Sequence, residues 1–135
     1  MSFDDERAAI EKRMSDNWST TPVKYENVSF SRPSTAWVAL YINTGLTRQI
    51  TLGDQEQVHR NVGIITVQIC IPEDTGTAAA RMLADAVGTL FRNATFSYSD
   101  SGRITCYSPS LRSGGTQDGW FTLYVDIPYK RDALL

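Results

Sequence analysis

Three stretches of this chain place an apolar residue at every second position: Val38, Leu40 and Ile42, then Ile65, Val67, Ile69 and Ile71, then Phe121, Leu123, Val125 and Ile127. Residues two apart in a strand share a face, so these eleven side chains define one continuous apolar face of a sheet. Such a face must be covered. Between the second and third stretches, residues 77–93 carry Ala78, Ala79, Met82, Leu83, Ala86, Val87, Leu90 and Phe91 in pairs every four positions, the period of a helix with a broad apolar side. A helix packed on a sheet is therefore the minimum this chain can fold into.

The remaining elements follow from weaker patterns. Residues 1–18 read as a helix, with Ser2 as cap, Asp4, Asp5 and Glu6 at its positive end and Lys12 and Arg13 near the other. Its apolar stripe of Phe3, Ile10, Met14 and Trp18 is thin, with Arg7 in the gap, which suits a helix covering an edge. Pro22 stops it. Short strands are expected at 23–30, 95–98 and 103–108, and stronger ones at 37–43, 62–71 and 120–127, the last ended by Pro128. Residues 44–60 read as a protruding polar arm or irregular hairpin, and the stretch holding Gly114, Gly115 and Gly119 as a loop. The expected architecture is α+β: one domain over residues 1–135, a mixed or antiparallel sheet with two helices, in the order α-β-β-β-α-β-β-β.

The second face of the sheet is mixed. Trp37, Ala39 and Tyr41, Ile64, Thr66, Gln68 and Cys70, and Trp120, Thr122, Tyr124 and Asp126 share it. Aromatics beside Thr and Gln are the composition enriched at protein interfaces, and equally of a face curled onto the chain's other strands. Periodicity leaves both readings open.

Composition narrows the function classes. Thirteen Lys plus Arg against fifteen Asp plus Glu give a net charge of −2, unlike a protein that neutralises phosphates along a duplex. The apolar run from Ala36 to Ile42 is too short to span a bilayer, and the acidic start does not read as a secretory signal, so no membrane partner and synthesis in a reducing cytoplasm are expected. Cys70 and Cys106 lack zinc-ligand spacing and His59 is the sole histidine, so no metal or other cofactor is expected, and both cysteines are expected as free thiols. Neither a nucleophile elbow nor a phosphate-binding glycine loop is present, and Glu73 and Asp74 suit the helix start electrostatically. The chain is expected not to be an enzyme.

Several segments, in order, carry a family likeness: Arg60-Asn61-Val62-Gly63 before an aliphatic strand, Ile71-Pro72-Glu73-Asp74-Thr75-Gly76 before the helix, Leu83-Ala84-Asp85-Ala86 and Leu90-Phe91 within it. Gly114-Gly115, Asp118-Gly119-Trp120 and Val125-Asp126-Ile127-Pro128-Tyr129 continue it. The layout resembles the tail terminator proteins of long, non-contractile-tailed bacteriophages. That resemblance implies a virion structural protein forming a hexameric ring at the head-proximal end of the tail tube. Such a ring stops tube polymerisation and joins the head completion proteins, and the genome DNA passes through it without sequence-specific binding. Assembly takes place in the host cytoplasm. On that reading the mixed face, centred on Trp37, Tyr41, Trp120 and Tyr124, and the arm residues Arg48, Gln49, His59 and Arg60 meet the next subunit or the tail tube protein. Two alternatives stand beside it: another neck or tube component of the particle, and a small-molecule binding domain with the four aromatics lining a pocket.

Overall fold

The computed structural model describes residues 3–50, 58–97 and 102–134. Two helices, α1 (Phe3–Asn17) and α2 (Ala78–Phe91), accompany strands β1 (Val23–Lys24), β2 (Trp37–Gln49), β3 (Val58–Pro72), β4 (Thr95–Phe96), β5 (Gly102–Cys106), β6 (Ser110–Gln117) and β7 (Trp120–Leu134). The strands form one sheet in the order β1-β2-β3-β7-β5-β4, with β6 also on β7. Among the described residues only the β1–β2 pair is parallel. The α+β class and the order of the elements are as expected, with β6 additional in the stretch expected to be a loop. Parts of the expected arm (residues 51–57) and of the turn before β5 (residues 98–101) lie outside the described residues.

The long central strands follow from the alternation. In β3 and β7 the register is unbroken from Val58↔Leu134 to Pro72↔Trp120, so Ile65, Val67, Ile69 and Ile71 share a face with Phe121, Leu123, Val125 and Ile127. All eleven apolar side chains lie in or against one core, as expected. Pro128 does not end β7. Ser110↔Asp126 is the last pair with β6 and Cys106↔Tyr129 the first with β5, so the missing proline N–H falls where one partner strand gives way to the next. Its carbonyl still accepts from the Tyr107 amide at 2.9 Å.

Both helices cover this aliphatic face. The buried side of α2 is Ala80, Ala84, Val87, Leu90 and Phe91, rotated from the expected pairs, and Met82 is 70% exposed. Three successive alanines, Ala78 to Ala80, give the periodicity no means of telling one side from the next. The first helix also departs from expectation. It contributes Ile10 and Met14 to the core, with Trp18 just beyond it, and does not merely lie along an edge. Its stripe is completed by Glu6 and Ala9, buried one turn before Ile10 and beside it. Arg13 joins the helices, its guanidinium donating to the Leu90 carbonyl at 2.9 and 3.2 Å, where α2 has unsatisfied acceptors and a negative dipole end.

Candidate assembly surface

The mixed face divides into a covered end and an open end. At the covered end Trp37, 6% exposed, packs with Ala39 and Cys70 beneath Phe30, the ring centroids of Phe30 and Trp37 being 5.3 Å apart. Trp120 meets Trp37 edge-on at 6.0 Å, and the Arg32 guanidinium lies 5.7 Å from the Trp37 ring. Trp37 thus forms the floor of a small second core made by the chain's own residues. Beyond it the strands stand uncovered, with Val62 and Ile64 42% and 43% exposed.

Register sets out the open face in rows. Tyr41, Thr66, Asp126 and Ser110 lie side by side across β2, β3, β7 and β6, and Gln68, Tyr124 and Arg112 form the next row. Arg112 ties the rows together: its guanidinium grips Asp126 at 2.9 and 3.2 Å and stacks over the Tyr124 ring at 4.5 Å. Thr66 donates to the same carboxylate at 2.8 Å. The Arg112 hydrogen bond holds the Asp126 carboxyl below the usual carboxylate range, against the opposing effect of burial. Half-buried Tyr41 reaches Gln68 at 3.4 Å. Gly114 sits against the Thr122 and Tyr124 side chains so closely that a Cβ there would lie 2.2 Å from the Thr122 hydroxyl.

The arm is a continuation of the sheet. After a register shift between Thr44 and Thr47, β2 and β3 pair again as Thr47↔Asn61, Arg48↔Arg60 and Gln49↔His59. Alternation divides the four arm residues: Arg48 and Arg60 share the open face with Asp132 and Arg103, in one row across β2, β3, β7 and β5. Gln49 and His59 belong to the helix side. Arg60 makes a two-pronged contact with Asp132 at 2.8 and 3.2 Å, and that hydrogen bond lowers the Asp132 carboxyl while raising the guanidinium.

At the root of the arm a buried polar cluster connects it to α1. Glu6, 1% exposed, accepts from the Tyr129 hydroxyl at 2.6 Å and the Asn61 amide at 2.9 Å, and the Arg131 Nε stands 3.8 Å away. Burial, and then the bond to Glu6, push the Tyr129 phenol up. Gly63, paired with Tyr129, makes the contact possible, since a Cβ there would lie 2.6 Å from both the Tyr129 hydroxyl and the Asn43 carbonyl. Sequence reasoning missed Glu6, Arg112 and Asp126 as organising residues. A carboxylate at a helix start is explained by the dipole alone, while the spacing Glu6, Ala9, Ile10 held the only hint of burial.

The two thiols lie in different cores, Cys70 under the mixed face and Cys106 under the helices. Both are free, and burial raises them to about 11 and about 12. Among the described residues no group of three or more His, Cys, Asp or Glu side chains could hold a metal ion, and no helix is long and apolar enough to cross a membrane. A cleft of about 600 Å³ opens on the helix side, between α1, the turn after β1 and β2, and takes in none of the four predicted aromatics.

The chain is thus an α+β body with part of one sheet face uncovered, aromatic and apolar at the centre and crossed by arginines. Residues 7–129 match the family model of the phage tail terminator protein, and the chain belongs to that family of phage tail structural proteins. One solved structure is 25% identical to it with a TM-score of 0.76, over 97% of this chain and 96% of the other. No curated protein matches it significantly.

Proposed function

We propose that the chain terminates the phage tail: copies of it close into a ring, six being the expected number, on the head-proximal end of the tail tube. There the ring stops polymerisation and presents the joint to the head completion proteins. The whole of residues 1–135 acts as one domain in that role, assembled in the host cytoplasm and retained in the virion, with the genome passing through the ring without sequence-specific contact. The single observation that carries the reading is the family match over nearly the full chain. The open face supports it, because a row of half-buried aromatics and exposed aliphatics on a soluble subunit is a surface built to be covered. Tyr41, Trp120 and Tyr124 are its contact centre with Trp37 as the floor beneath, and Arg48, Gln49, His59 and Arg60 reach a neighbouring subunit or the tube from the arm.

Elongation of purified tail tube protein, followed by light scattering with and without this protein, tests the proposal. Substoichiometric amounts, a few rings per growing tube, should arrest growth at a fixed length. Unchanged elongation at a large excess refutes it.

A further inference from the structure

The open face of the sheet and the rim of the cleft on its other side carry opposite charge. On the open face the register gathers Arg48, Arg60, Arg103, Arg112 and Lys130 against, among the described residues, Asp126 and Asp132, in a chain whose net charge is −2. A local acidic patch lies across the sheet, at the start of α1. α1 opens with Asp4, Asp5 and Glu6, and the cleft beside it is rimmed by Glu11 and Glu26 over a floor of Phe3, Tyr25, Leu40 and Ile42; Arg7, paired with Asp4 at 2.8 Å and Glu11 at 2.6 Å, is the cation of this rim, which stays net negative through Asp4, Asp5, Glu11 and Glu26. Glu26 is fixed there by accepting from the Ile42 amide at 2.7 Å, on the edge of β2 that β1 leaves bare after Ala39. The carboxylate blunts an unpaired strand edge and holds its charge at the mouth of the cleft.

Each surface therefore has what the other lacks. The open face offers exposed Val62 and Ile64 flanked by cations; the cleft offers an apolar floor flanked by carboxylates. We propose that the occupant of the cleft is the open face of a second copy, so that each subunit seats its arginine-bearing sheet on α1 and β2 of the next. This rests on the ring reading and specifies its interface. Because the two surfaces lie on opposite sides of one sheet, the contact is head to tail, the kind that closes into a ring when the rotation between copies permits. Opposite fields also set the register and reject face-to-face pairing of two basic sheets.

Charge reversal at the rim of each surface tests this directly. One variant carries Asp4→Lys and Glu11→Lys, the other Arg48→Glu and Arg103→Glu; melting curves confirm that each is folded. Assembly is read by analytical ultracentrifugation. Each variant alone should need at least about tenfold more protein to assemble than the wild type, while an equimolar mixture should recover assembly, since every contact then joins a basic surface to an acidic one. Normal assembly of either variant alone, or a mixture as defective as its parts, overturns the proposal. Wild-type protein that stays monomeric even on tail tubes overturns the ring reading and the proposal together, whereas wild-type rings with indifferent variants overturn the interface alone.

Discussion

Replacing Gly63 by alanine tests whether the arm is anchored through the buried cluster. The new Cβ would stand 2.6 Å from the Asn43 carbonyl of the adjacent strand and 2.6 Å from the Tyr129 hydroxyl. Neither can yield cheaply: Asn43 is backbone in the β2–β3 ladder, and Tyr129 is buried with its hydroxyl on Glu6. Displacing Tyr129 weakens a hydrogen bond to a buried carboxylate, worth about 1–3 kcal/mol, and forcing the strands apart adds about 1–3 kcal/mol of overpacking strain. Together, a loss of about 2–6 kcal/mol lowers the melting temperature by roughly 6–24 °C for a domain of this size. Thermal unfolding followed by circular dichroism reads it. Tyr129→Phe alone removes the hydroxyl, and because both changes break the same contact, the double variant should cost less than the sum by about 1 kcal/mol or more. A Gly63→Ala variant melting within about 2 °C of wild type, or strictly additive effects, would refute the reasoning.

Leu123→Ala, which opens a hole in the core beneath the helices, should cost about 2–5 kcal/mol of stability, whereas Tyr124→Ala on the open face should melt close to wild type and weaken assembly instead; equal loss of melting temperature in both would make Tyr124 a core residue. Both thiols should resist alkylation at pH 8 in the native protein and react in denaturant without reductant, as mass spectrometry would show; a denatured chain that stays unlabelled would mean a disulfide. Asp126 and Asp132 have lowered carboxyls, so their contribution to stability is complete above about pH 4, the unfolded value, and is lost as the pH falls below it through the folded values. Asp126→Asn should therefore flatten the fall in urea midpoint between about pH 4 and 2, and an unaltered slope would count against the Arg112 contact as its source.

What the sequence disclosed and what it hid differ in physical kind. Alternation over β2, β3 and β7 is a period-two signal repeated eleven times, and it specified both the aliphatic face and the pairing of these strands in register. The fourth of the well-formed strands, β6, was hidden because its residues Ser110–Gln117 are all exposed or half-exposed and carry two glycines, so it has no apolar alternation. A local signal did exist. Asp118 and Gly119 both take positive φ, 52° and 82°, the conformation that Asp-Gly favours in a two-residue hairpin turn between β6 and β7. Pro128 misled in the opposite direction, since a proline ends a strand only where its missing donor is needed, and that depends on neighbours 20 residues and more away in the chain, such as Cys106. Of the open face, the aromatics were legible as a composition. Their division into a covered floor at Trp37 and an open centre was not, because it depends on where the chain from Phe30 runs after leaving the sheet.

The claim that the chain is a terminator is tested most directly by electron microscopy of tail tubes incubated with gold-labelled protein. The account predicts label at one end of each tube, as a ring flush with the tube wall, and tubes that no longer grow when further tube protein is added. Label distributed along the tube length, or at neither end while the protein remains folded, would contradict it.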